Sequence, residues 1–141
     1  MIPMKRDHVS PFGFAVLAIL LIGFATPSLA HHSTVMFDLN KTITIEGTIT
    51  QIAWGNPHSV MFVDAKPLDQ ADVPVKNWVV ETANPAKLIE MGWKAGTLKV
   101  GDTVRVKGAP RKDGKSTILF MELTDDKGHH FVMKSGEDAG K

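Results

Sequence analysis

Histidines are the residues of this sequence best suited to metal chemistry. Apart from His8 they lie in three places: His31 and His32 together, His58 alone, and His129 with His130. Imidazole nitrogen is a good ligand for Cu(II), Ni(II) and Zn(II), and Cu(II) stands highest in the affinity order of the divalent ions. The chain contains no cysteine, so thiolate metal sites are excluded.

The chemistry of His31 depends on a predicted secretory signal peptide at residues 1–30. A basic start, an apolar run over residues 12–25, and small residues at Ser28 and Ala30 form the three parts that signal peptidase requires. The apolar run is short for a membrane span, which needs about 20 residues. We therefore expect Sec-type export to the periplasm or beyond, with cleavage after Ala30 and no membrane contact afterwards. An uncleaved membrane anchor is the alternative.

Cleavage after Ala30 would turn His31 into a chelating N-terminus. An α-amino group has a pKa of about 7.7–8.0, so a metal displaces its proton at little cost near neutral pH. The amine and ring nitrogen of His31 could then hold copper, with His32 or His58 completing the set of nitrogen donors. Asp38 could orient one of these imidazoles by accepting its other ring N–H. Such a terminus resembles the N-terminal His sites of periplasmic copper carriers and of histidine-brace copper oxygenases.

Each of these residues also has a simpler interpretation. His31 and His32 could form a solvated, mobile arm, and His58 could bond a neighbouring backbone carbonyl. Asp38 could instead form a turn ahead of Asn40. The adjacent pair at positions 129 and 130 would point to opposite faces of a strand, so we expect surface residues there and no shared site.

A second candidate site lies at the turn around Trp54, Asn56 and His58. An aromatic ring, an amide and an imidazole within five residues could contact a protein or a small organic ligand. The other large aromatic residues are expected mainly in the core, because a domain this small needs large side chains to build one. The scattered methionines are likewise expected to fill the core, since they form none of the Met-x-Met runs of Cu(I) carriers.

Charge and motifs exclude several functions. Without Lys5, Arg6 and Asp7, the 16 basic and 15 acidic residues become 14 of each. A neutral domain has no electrostatic footprint for nucleic acid. The sequence has no Gly-x-Ser-x-Gly elbow and no phosphate-binding loop. We therefore expect a binding protein rather than an enzyme, and a copper oxygenase is the one enzyme class left open. The oligomeric state is not indicated.

The elements that must position these residues are mostly strands. An arm at 31–41 should precede a domain at 42–134, and a frayed polar tail should follow at 135–141. Alternating apolar and polar residues predict strands, and Asn84-Pro85 with Gly92 predicts a short helix between the third and fourth strands. This order indicates a mainly β, five- to six-stranded OB-like Greek-key barrel. The strands are predicted at 42–52, 58–65, 76–82, 103–108, 116–123 and 129–133.

Paired motifs link the chain to a known family. These motifs are His31-His32-Ser33, Met36-Phe37-Asp38, Gly47, Trp54-x-Asn56-Pro57-His58-Ser59, Asn84-Pro85 and Gly92-Trp93. Over residues 31–123 they resemble a family of small exported bacterial proteins catalogued as a domain of unknown function. The resemblance implies secretion and a small β-rich domain, and it implies no activity.

Overall fold

The computed structural model describes residues 34–133, which form a mainly β domain. A 3-10 helix at Thr34–Met36 precedes the strands. No helix within the described residues is long and apolar enough to span a membrane. The strands are β1 (Ile43–Ala53), β2 (Val60–Pro67), β3 (Lys76–Glu81), β4 (Thr103–Pro110), β5 (Thr117–Asp125) and β6 (His130–Val132), with helix α1 (Pro85–Glu90) between β3 and β4.

The strand order closes a barrel and confirms the predicted OB-like fold. The strands pair in the order β3-β2-β1-β4-β5-β6, and a further parallel pairing joins β3 to β5. That last pairing makes a closed ring of five strands, with β6 added along the remaining length of β5. One long first strand shared by two neighbours, and a helix between the third and fourth strands, are the features of the OB-type Greek-key barrel.

Strand β1 comes very close to β2 at Gly47, and its bulge lies further along the strand. The backbone at Gly47 passes so close to β2 that a Cβ there would lie 2.6 Å from the Cα of Ala65. The register shift instead falls between Ile49 and Gln51. The bulge reverses the inside–outside alternation beyond it. Gln51 is therefore exposed, and Ile52 packs against the core.

The core fills the barrel with side chains from the inner faces of β1 to β5. Ile45, Val63 and Val80 are completely buried there, as their alternation predicts. At one end of the barrel Trp93 stacks on Phe131 with a centroid separation of 5.2 Å. Most large aromatic residues are therefore core residues, whereas Met36 is 47% exposed and does not fill the core as expected.

Helix α1 lies between β3 and β4, and it has the cap at its start and the glycine after its end that the sequence predicts. The side chain of Asn84 accepts a hydrogen bond from the backbone N–H of Lys87 at 2.9 Å, which caps the helix. Gly92 follows with φ of +85°, a left-handed conformation that ends the helix. Only Leu88 of the helix is buried, and Ile89 is 51% exposed. Successive positions in a helix are rotated by about 100°, so these two neighbours point in different directions.

Candidate functional site

The loop between β1 and β2, residues 54–59, is called the rim loop. Its last residue, Ser59, is buried and donates its backbone N–H to Ala83 O at 2.9 Å. The carbonyl of Ser59 accepts two hydrogen bonds from Thr82, one from the backbone N–H at 3.0 Å and one from the hydroxyl at 2.7 Å. Its hydroxyl also accepts from the N–H of Gly55 at 3.3 Å. The rim loop is thus fastened to the chain that follows β3.

Trp54 stands where the rim loop meets the core. Its ring packs against Trp93 with centroids 6.5 Å apart and planes inclined by 58°. The residue is half-buried. The indole therefore offers only part of its surface to a ligand, and its packing on the core fixes where that surface lies.

Asn56 and His58 are the exposed polar residues of the rim loop. Within residues 34–133 neither side chain makes a hydrogen bond to another side chain or to the backbone. His58 lies two residues before β2 begins, so the prediction that it opens the strand is wrong by that margin. Among the described residues, no backbone carbonyl accepts a hydrogen bond from the His58 ring. Trp54, Asn56 and His58 thus lie in one loop, and their role as a binding site stays a prediction.

The described chain begins with an arm fixed to the barrel. Phe37 is buried and forms a β-bridge with Arg111, and the carbonyl of Met36 accepts the N–H of Lys112 at 3.0 Å. The Lys112 ammonium also reaches the carbonyl of Val35 at 2.9 Å. The arm predicted at 31–41 is thus structured from Thr34 onward. His31 and His32 lie outside the described residues, as do the predicted signal peptide and the tail at 135–141.

Asp38 has local partners. Its Oδ1 accepts the N–H of Asn40 at 3.3 Å, and its Oδ2 lies 3.5 Å from the ammonium of Lys41. This is the turn-forming arrangement. Among residues 34–133, no histidine bonds this carboxylate. Its role as a partner of a metal-bound imidazole stays a prediction.

His130 is the first residue of β6 and His129 precedes it, so the strand begins one residue later than predicted, and each histidine meets a carboxylate of β5. His129 Nδ1 lies 2.7 Å from Asp125 Oδ2, and His130 Nε2 lies 2.8 Å from Glu122 Oε1. The Asp125 side chain is completely buried. Burial opposes its ionisation, but hydrogen bonds from His129 and from the backbone of Lys127 outweigh that effect and lower the pKa of Asp125.

Sequence reasoning missed these two pairs. The Asp125–His129 pair forms within the turn that joins β5 to β6. Its two residues are four positions apart in the sequence, and this short separation was a signal that could have revealed the pair. The second depends on the register of β6 against β5. In the described part of the chain no three histidine, aspartate or glutamate side chains come close enough together to hold a metal ion.

The similarities of this chain to known proteins are distant. No curated protein matches the sequence. Among solved structures, the chain is similar to Rim1, a mitochondrial single-stranded DNA-binding protein of S. cerevisiae, with a TM-score of 0.46 and 11% identity over 63% of this chain and 96% of Rim1. It is also similar to TiaS in the TiaS–tRNA(Ile2)–ATP complex, with a TM-score of 0.44 and 18% identity over 63% of this chain and 19% of TiaS. At these identities the likeness concerns the fold alone.

The family is identified by a match of the sequence itself. The matching family model covers residues 18–120, which is most of the chain and includes the arm, the rim loop and the helix. The chain therefore belongs to DUF6152, a family of unknown function.

Proposed function

We propose that this chain is an exported binding protein whose contact surface includes the rim loop. One observation carries the proposal: His58 is an exposed imidazole, without a hydrogen bond to any described residue, on a loop that is fastened to the barrel. A group held in place before binding loses little conformational freedom when a ligand arrives, so more of the interaction energy appears as affinity. By analogy of fold, the loop between the first two strands contacts ligands in many OB barrels.

The ligand that we propose first is Cu(II). Its primary chelate would be the amine and ring nitrogen of His31 after cleavage behind Ala30. His58 or His32 would supply a further nitrogen. Copper is favoured over other divalent ions because the donors are all nitrogens and Cu(II) binds such sets most tightly. The described histidines at positions 129 and 130 already bond carboxylates, which leaves His58 as the imidazole best placed to act as a ligand.

The first test is the mass of the exported protein, which should correspond to residues 31–141. Copper affinity is then measured by competition with a chelator of known strength. We expect one tight equivalent, weakened about tenfold or more in His58→Ala, since losing one nitrogen donor removes at least about 1.4 kcal/mol. His130→Ala is the matched control, because it removes an exposed imidazole that is already paired with Glu122.

A variant with Ala-Pro inserted before His31 separates the chelate from simple surface binding. The insertion keeps every histidine but moves the free amine away from the His31 ring. The inserted proline has no N–H, so the backbone of the lengthened terminus cannot form a new chelate with the displaced histidines. The chelate model predicts a large loss of copper affinity. Full affinity in this variant would exclude the His31 chelate.

The second candidate is a binding module for a protein or a small organic ligand at the same rim. The half-buried indole of Trp54 favours it, because a fixed aromatic surface beside an exposed amide is typical of binding sites. Here Trp54→Ala should abolish capture of the partner from a periplasmic extract, and metal chelators should have no effect. Capture that a chelator abolishes would instead support the copper site.

A further inference from the structure

A small cavity opens at the opposite end of β1 from the rim loop. Its volume is about 180 Å³, and its wall includes the first residue of β1, the last of β2 and the first of β3. The rest of the wall comes from the β2–β3 loop, residues 68–75, and from the β4–β5 loop, residues 111–116. Room for several water molecules makes this end cavity large enough for a small organic molecule.

Trp78 forms part of the cavity wall, and its indole N–H makes no hydrogen bond. The residue is 9% exposed, and its Nε1 is buried with no acceptor. In the described part of the chain it is the one buried side-chain nitrogen or oxygen without a partner. An unsatisfied buried donor costs about 1–3 kcal/mol, so its presence calls for an explanation. A ligand that carries an acceptor oxygen would supply one.

The chemistry of the wall indicates the class of ligand. Lys76 is its one ionisable residue, no carboxylate lines it, and Gln70 and Ser116 add neutral donors. Ile43, Val73 and the Trp78 ring supply apolar surface. Exposed apolar side chains continue from the cavity along the β2–β3 loop, where Leu68 is 48% and Val75 is 60% exposed. A wall with a cation, several donors and apolar surface is complementary to a small anion with an apolar part.

We propose that the end cavity binds a small monocarboxylate with a short alkyl chain. The carboxylate accepts hydrogen bonds from the Lys76 ammonium and the Trp78 indole N–H, and the alkyl chain lies against Ile43 and Val73. Because Nε1 is closed to bulk water, binding must shift side chains of the wall. Gln70 and Lys76 are long and exposed, so they can move at small cost. This site is independent of the rim loop and of copper.

The experiment is a titration of the ¹⁵N-labelled exported protein with sodium butyrate, followed by the indole N–H signals in NMR spectra. The chain has three tryptophans, and Trp78→Phe identifies the signal of Trp78 by its loss. We expect that signal to move downfield and saturate, as a new hydrogen bond to a carboxylate requires. Sodium chloride at equal ionic strength should leave it in place. A Trp78 signal that does not move with butyrate would overturn the proposal.

Two comparisons test whether binding depends on the negative charge of the ligand and on the positive charge of Lys76. Butyramide has the same size without the negative charge, and we expect it to bind at least fivefold more weakly. Lys76→Gln should weaken butyrate binding about fivefold, in the upper range for a half-exposed ion pair. Lys94→Gln removes a surface charge outside the cavity and should have no effect. Equal binding of butyramide and butyrate, or an equal effect of the two lysine variants, would contradict recognition of a carboxylate.

Discussion

Replacing Gly47 with alanine tests whether the barrel closes as tightly as the structure requires. Gly47 lies in the middle of β1, opposite Ala65 of β2. A Cβ built at this position overlaps the carbonyl oxygen of Asp64 and lies 2.6 Å from the Cα of Ala65 and 2.7 Å from its Cβ. Carbon atoms prefer about 3.5–4.0 Å, so the two paired strands must separate by about 1 Å at this position.

The expected loss of stability in Gly47→Ala is large because the atoms that a Cβ would meet cannot move aside. The overlapping atoms belong to backbone and to the first side-chain atom of a neighbouring strand, so no rotamer change relieves the clash. Overpacking alone costs about 1–3 kcal/mol, and one or two weakened ladder hydrogen bonds add about 0.5–1.5 kcal/mol each. We expect Gly47→Ala to lower the free energy of unfolding by about 3 kcal/mol. In a domain of this size that corresponds to a fall in Tm of about 12–24 °C.

The assay is urea denaturation together with calorimetry, with Gly55→Ala as the control. A Cβ at Gly55 meets nothing within 4 Å, and Gly55 does not have a positive φ. That variant should change the free energy of unfolding by less than about 0.5 kcal/mol. If Gly47→Ala lowers the free energy of unfolding by less than about 1 kcal/mol, or if both variants lower it equally, the close approach of β1 to β2 is refuted.

Three further changes test individual contacts. Thr82→Val removes the hydroxyl that donates to the buried Ser59 carbonyl and should lower the free energy of unfolding in urea by about 1 kcal/mol. Asn84→Ala removes the cap of α1 and should also cost about 1 kcal/mol, seen as a lower Tm. The pKa of Asp125 in the folded state is below its ordinary value of 3.8, so its stabilising effect is complete above that pH and disappears as the pH falls through the folded value. The stability difference between wild type and Asp125→Asn, measured from pH 7 down to pH 2, should therefore narrow only below about pH 4.

The sequence predicts the strands well because each has one buried face. Alternation predicts that Met61 and Val63 share one face of β2 and that Phe62 lies on the other, and in the structure the first two are buried whereas Phe62 is half-buried. The capping residue Asn84 and the glycine after α1 act over a few residues, so local chemistry is enough to locate the helix. The barrel follows from the order of these elements.

Sequence reasoning fails where distant segments decide the outcome. The bulge after Ile49 depends on how β1 is shared between two neighbours, and it reverses the side on which Gln51 lies. Met36 is exposed because the arm is held by its backbone and by Phe37. The unpartnered nitrogen of Trp78 depends on which loops meet at one end of the barrel.

The candidate site is predictable in part. The rim loop keeps Trp54, Asn56 and His58 together because only a few residues separate them. Its attachment through Ser59 and Thr82 joins segments that are 23 residues apart, and nothing in the local sequence indicates that contact. The part of the site that depends on His31 and His32 stays a prediction.

The measurement that tests the binding proposal most directly is electron paramagnetic resonance of the exported protein with one equivalent of Cu(II). Nitrogen hyperfine couplings count the nitrogen donors on the metal. We expect a single species with at least three nitrogens in the wild type and one fewer in His58→Ala, while His130→Ala matches the wild type. A spectrum of weakly held, mixed species that is the same in all three proteins would contradict the role of His58 and leave the rim loop without its proposed metal.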